Sequence, residues 1–235
     1  MLAVDIESSA GRGDVALLQM REALARIVGD ALDNSGIDKN ACAQEDLGDG
    51  VRVIFPRAVR KSSLLYPLVH ELTIFLKAHN RLAGQPIRMR LRAVLHAGDV
   101  YLEDDGIAAG GSLEVLARML DAQPLREALA AAPEDAPLAL LISQHFYDET
   151  VPHGHLGIEP ETFRKVAFTT KKYSADAWLH VPCVPVSPED SEPAEPESAK
   201  PESERTGGSI MVNDASDHGV IYGSQHGTQH IHHTS

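Results

Sequence analysis

Two aspartates are spaced so that the chain could build a divalent-cation site. Asp5 closes the apolar run "MLAVDI", and Asp49 lies between two glycines in "EDLGDGV", directly before the apolar "VRVIF". Carboxylates on neighbouring strand ends repel each other unless a cation lies between them. Mg²⁺ accepts one or two carboxylates together with substrate phosphates. Two such ions can activate an attacking hydroxyl and neutralise a leaving group. Each aspartate also has a plain structural explanation. Gly-Asp-Gly suits a tight turn, since both residue types tolerate left-handed backbone angles, and Asp5 can simply turn the chain after a strand. The histidines of "HFYDETVPHGH" (His145, His153, His155) are too loosely spaced for a metal set and read as surface residues. Cys42 and Cys183 are far apart and have no metal-ligand companion at short spacing. That pattern disfavours a disulfide framework and makes a reducing cytoplasm the simplest setting.

Periodicity gives the strands and helices that hold these residues. "MLAVDI" reads as a short buried strand. Over residues 14–32 the apolar Leu17, Leu24, Ile27, Val28 and Ala31 recur at helical spacing, with Asp14 as the expected cap and Gly36 as the stop. "VRVIF" alternates as a strand, and residues 45–47 are expected to pair with it across the turn. A second helix is expected over 64–82, with Leu65, Leu68, Val69, Leu72 and Leu76 on one stripe. "IRMRLRAVLHAGDVYLE" alternates strongly and reads as two strands, or one bent hairpin, turning at Ala97-Gly98. Gly110-Gly111 leads into a helix over 112–120, followed by a short helix over 125–131. "PLALLIS" is a buried strand, "QHFYDET" a short helix, and "FRKVAFTT" and "AWLHVPC" two closing strands. This order predicts an α+β fold, a ferredoxin-like split βαβ sheet with helices on one face.

At 235 residues and 43% hydrophobic content, the chain can bury a sizeable core and still carry a tail. Its formal net charge of −13 argues against a nucleic-acid partner and an anionic membrane surface. No stretch approaches the roughly 18 apolar residues of a membrane span. "MLAVDIESS" lacks the basic leader of a signal peptide, so a cytoplasmic location is expected.

Near Pro185 the composition changes. Residues 184–208 are Pro, Glu and Ser with almost no hydrophobes, which reads as a linker unable to pack a core. Residues 209–235 are different again: "HGVIYGSQHGTQHIHH" mixes the β-formers Val220, Ile221, Tyr222 and Ile231 with Gln225 and Gln229. Gly219, Gly223 and Gly227 recur every four residues, a spacing suited to tight β-arches. Low charge, no proline and Gln ladders are what a stacked cross-β segment requires. The segment resembles the short amyloid signalling motifs of bacterial and fungal immune adaptors, which are similar to RHIM motifs. Its expected assembly residues are Val220, Ile221, Gly223, Gln225, Gly227 and Ile231. A disordered tail with chance glycines is the plain alternative.

In order along residues 1–183, "AVDIESS", "EDLGDGVRVIF", "LRAVLHAGDVY" and "GGSLEVLARML" resemble class III adenylate/guanylate cyclase catalytic domains. The resemblance implies a dimerising sheet with purine nucleoside triphosphate sites at the dimer interface and two Mg²⁺ or Mn²⁺ ions per site. Asp5 and Asp49 match the family's metal-binding aspartates. The backbone of Ile6, Glu7, Ser8 and Ser9, at or near a helix N-terminus, would cradle the triphosphate. Arg118 matches the transition-state arginine, and Lys171 or Lys172 the late phosphate-binding lysine. There are also departures from the family pattern. Glu114 stands where the family has a ribose-positioning asparagine, and a carboxylate cannot donate the hydrogen bond an amide donates. Glu45 occupies the base-selecting position and resembles the guanylate cyclase choice, because a carboxylate accepts from guanine N–H groups. Ile107, at the other base-reading position, has no polar handle.

Two functions from different classes are therefore expected. One is a weak or degenerate nucleotide cyclase, making a cyclic monophosphate and pyrophosphate. The other is a non-catalytic signalling adaptor, in which the cyclase-like domain senses or dimerises and the tail recruits a protein partner carrying a similar motif.

Overall fold

The computed structural model describes residues 1–102, 108–170 and 173–182. Lys171, Lys172, Ile107, Cys183, the linker and the whole tail lie outside these residues. Seven strands form the main sheet: β1 (Leu2–Ile6), β2 (Ala43–Asp46), β3 (Gly50–Ile54), β4 (Leu91–Leu95), β7 (Leu138–Ser143), β8 (Arg164–Thr170) and β9 (Tyr173–His180). Their order is β2-β3-β1-β4-β7-β9-β8. β5 (Tyr101–Leu102) and β6 (Ala108–Ala109) form a separate antiparallel ladder. The first four strands give the split βαβ pattern, with β1 antiparallel to both β3 and β4. The β4–β7 pair is parallel, so the chain must cross over between them. Helices α4 (Gly111–Leu120) and α5 (Gln123–Ala131) lie in that crossover.

That crossover overturns the expectation of helices on one face. Leu2, Val4 and Ile6 of β1 share a buried cluster with Leu24, Ile27 and Val28 of α1 (Asp14–Asn34) and Leu72 and Leu76 of α3 (His70–Leu82). Ala3 and Val94 instead share a second cluster with Leu116 and Met119 of α4 and Leu125 of α5. Strand alternation sends successive side chains to opposite faces. β7 has all six residues buried, five of them apolar, because it lies between both helix layers.

α1 ends as its sequence predicts. Gly36 takes φ +69°, its N–H bonds the Asp33 carbonyl at 3.0 Å, and the Ile37 N–H bonds the Leu32 carbonyl at 3.0 Å. This is a Schellman closure, with buried Ile37 packing behind it. The start differs: Gly13 is the N-cap, and Asp14 is the first helical residue and makes no capping bond.

The second helix begins later than its stripe suggests. A single turn, α2 (Lys61–Ser63), is followed by the irregular segment Leu64–Val69, where Tyr66 is extended (φ −140°, ψ 119°), and only then by α3. Pro67 explains this, because proline disfavours helical angles in the preceding residue and donates no N–H. β4 and β5 are two strands in different sheets, so of the two expectations for this segment the pair of strands holds and the bent hairpin does not. The small helix α6 (Gln144–Asp148) is capped by Ser143, whose Oγ accepts the Phe146 N–H at 3.3 Å.

Candidate functional site

The two aspartates are brought together by the edge of the β1–β3 ladder. Asp5 faces Gly50 in register, and the Ile6 N–H donates to the Asp49 carbonyl at 2.9 Å. The hairpin tip is a two-residue turn, Gly48-Asp49, closed by the Leu47 N–H on the Gly50 carbonyl at 2.9 Å. Gly48 holds φ +94°, and the Asp46 side chain accepts its N–H at 2.8 Å. Glycine adopts that positive φ without the steric cost a Cβ would bring. Gly50 has a different reason to be glycine: a Cβ there would lie 2.4 Å from the Val4 carbonyl oxygen.

Both carboxylates already have partners within the chain. Arg92, opposite Asp5 on β4, donates Nε to Oδ1 at 2.8 Å and a terminal nitrogen to Oδ2 at 2.5 Å. The pair is largely enclosed, with side-chain exposures of 15% and 16%. Asp49 accepts the Ser9 hydroxyl at 2.6 Å. The carboxyl of Asp5 is nonetheless pushed above its ordinary value. Burial is the main cause, opposed by the bond to Arg92 and reinforced by the nearby charges of Asp49 and Asp121.

Asp5 spends both oxygens on Arg92, and among the described residues no group of three or more His, Cys, Asp or Glu side chains could hold a metal ion. His145 pairs with Glu149 at 3.3 Å, while the exposed His153 and His155 stand with ring centres 6.3 Å apart.

Residues 6–9, the expected phosphate cradle, are not at a helix start, since α1 begins at Asp14. Two of their amides are used by the backbone itself: Ile6 on Asp49, and Glu7 on the Arg90 carbonyl at 2.8 Å. Ser8 takes φ +52°. The loop is tied down by Arg12, which donates to the carbonyls of Ser8 at 2.8 Å, Glu7 at 3.0 Å and Arg88.

The specificity and transition-state candidates are paired too. Glu45 faces Arg52 across the β2–β3 ladder and accepts from its guanidinium. On α4, Glu114 accepts from Arg118 one turn later. Sequence reasoning missed Arg52 and Arg92. The alternating arginines of "IRMRLR" mark one face of a strand, but their partners depend on a register that the sequence does not display.

No protein-family model matches this chain, and no curated protein matches it either. Solved structures do. An adenylate/guanylate cyclase/hydrolase from Silicibacter pomeroyi superposes with a TM-score of 0.54 at 16% identity, over 78% of this chain and 95% of the other. The guanylyl cyclase Cya2 superposes with a TM-score of 0.51 at 14% identity, over 77% of this chain and 90% of the other. The described domain thus has the fold of class III nucleotide cyclase domains. Among the described residues no helix is long and apolar enough to cross a membrane.

Proposed function

We propose that this chain is a non-catalytic signalling module, in which a dimerising cyclase-type domain is joined by the 184–208 linker to a tail that recruits a protein partner by cross-β stacking. One observation carries the reading. Glu114 holds the guanidinium of Arg118, the residue matching the family's transition-state arginine. A guanidinium neutralised by a carboxylate one turn away contributes less to stabilising a developing phosphate charge. The carboxylate also adds negative charge where phosphates would have to approach. The engagement of Asp5 by Arg92 supports the same view.

A second reading is a slow cyclase that prefers GTP through Glu45. It is favoured by the adjacency of Asp5 and the Asp49 hairpin. Removing one positioned donor from such a site typically lowers rate about 10²–10³-fold, so Glu114 in place of an amide would leave weak turnover. The discriminating experiment incubates the full chain with GTP or ATP and Mg²⁺ or Mn²⁺, and measures cyclic nucleotide by mass spectrometry. The module reading expects no product from wild type or from Glu114→Asn. Cyclic GMP from the wild type, rising in Glu114→Asn, would establish the second reading instead.

A further inference from the structure

A cavity of about 780 Å³ opens where the C-terminal half of α3 meets the loop after β1, and Arg12, Lys77, Arg81, Arg88 and Arg90 all line it. The acids on its wall are Glu134 and Asp135. The chain as a whole carries 34 acidic against 21 basic residues, so the local balance is inverted. Concentrated like charge lowers stability through self-repulsion and attracts counter-ions.

Several of these cations are set in place by the fold. Arg12 is fixed by backbone carbonyls of the β1–α1 loop. Arg88 donates its Nε to the Ala83 carbonyl at 3.2 Å, which leaves its terminal nitrogens for a ligand. Arg90 is held by the Leu129 carbonyl, which accepts from a terminal nitrogen, and by the Glu7 carboxylate, 3.6 Å from its Nε. Arg12 and Arg90, with N–H groups engaged by the chain, therefore supply fixed positive charge, while the terminal nitrogens of Arg88 can meet phosphate oxygens in pairs. The lining includes no aromatic side chain, so a nucleobase has nothing there to stack on. None of Asp5, Asp49, Glu114 and Arg118 lines this cavity.

We propose that this cavity is a binding site for a condensed phosphate of the inorganic pyrophosphate class, recognised by Lys77, Arg81 and Arg88 over the fixed Arg12 and Arg90. Titration calorimetry on the full chain at low salt tests it, using inorganic pyrophosphate as the probe and orthophosphate and GTP as comparisons. Pyrophosphate should bind at least tenfold more tightly than orthophosphate, and GTP no more tightly than pyrophosphate. Lys77→Ser with Arg81→Ser should weaken pyrophosphate at least tenfold, and Asp49→Asn should leave it unchanged. Arg81→Glu, a single change at an exposed helix position, provides a second variant, with thermal unfolding checked for each. No binding at millimolar pyrophosphate would overturn the proposal and leave these cations as complements to the C-terminal carbonyls of α3. Unaltered affinity in the charge variants, loss in Asp49→Asn, or clearly tighter GTP would also overturn it.

Discussion

Asp5 and Arg92 are direct partners across the β1–β4 ladder, and the guanidinium takes both carboxylate oxygens, at 2.8 and 2.5 Å. A planar fork against a carboxylate is the strongest common ion-pair geometry. Here it is mostly shielded from water by the sheet and the neighbouring layer. Arg92 is thus the counter-ion that lets a carboxylate sit beside Asp49.

Breaking that pair should cost more than an ordinary surface pair. Arg92→Met leaves Asp5 enclosed and uncompensated, for an expected loss of about 3 kcal/mol in urea unfolding at pH 7.5. The carboxyl of Asp5 already lies above its ordinary value because of burial, and losing Arg92 raises it further. A raised carboxyl costs stability while ionised, and that cost disappears as pH falls through the folded-state value. The deficit should therefore shrink on acidification, and Asp5→Asn in the Arg92→Met background should recover most of it. Equal midpoints for wild type and Arg92→Met would show that the pair contributes nothing.

Gly48 and Gly50 should respond differently to alanine. At Gly48 a Cβ meets nothing within 4 Å, but φ is +94°, so Gly48→Ala should cost about 1 kcal/mol through backbone strain. At Gly50 the Cβ would lie 2.4 Å from the Val4 carbonyl oxygen. β1 and β3 must then part, at an expected cost of about 2–3 kcal/mol. Denaturant midpoints would refute this account if Gly48→Ala proved the more damaging.

Local signals were legible and non-local ones were not. The stripe of α1, its Gly36 stop, the Gly48-Asp49 hairpin and the fully buried β7 are written in spacings of a few residues, and the structure has all of them. The ferredoxin-like order of the first four strands followed from those elements. The second helix was drawn too long because its apolar stripe runs through Pro67, where backbone chemistry overrides periodicity. The two-faced helical layering was missed because it depends on the parallel β4–β7 crossover. The ion pairs of Asp5 and Glu45 were missed for a related reason. Their partners are chosen by strand register, whereas the Glu114–Arg118 pair, four residues apart on one helix, could have been read directly.

Acid should destabilise the domain through His96. Burial is the main reason its ring is held down to about 4, and the neutral ring can accept the Ser143 hydroxyl at Nδ1, 2.9 Å away. A histidine depressed in the folded state contributes stability above its unfolded value, and loses it as pH falls towards the folded one. His180, also lowered by burial, acts in the same direction. Urea midpoints of wild type should therefore fall between pH 6.5 and about 4, and His96→Gln should flatten that slope. An identical slope in the variant would assign the acid sensitivity elsewhere.

The tail should assemble by itself, and its histidines should control when. Within residues 209–233, stacking satisfies each strand's backbone groups against the strand below, while Val220, Ile221 and Ile231 can interdigitate between sheets. Gly223 and Gly227 would supply turns, where a Cβ would oppose positive φ. Five histidines lie between positions 218 and 233 (His218, His226, His230, His232, His233), and protonating stacked rings below pH ~6 sets like charges on top of one another. A synthetic 209–233 peptide should therefore form thioflavin-positive fibres at pH 7.5 and fewer at pH 5. Gly223→Val with Gln225→Lys should abolish them, by removing a turn and placing a charge in every layer. A wild-type peptide that stays monomeric for days at high micromolar concentration would remove cross-β recruitment from the proposed function, leaving the cyclase-type domain as the module's only interacting part.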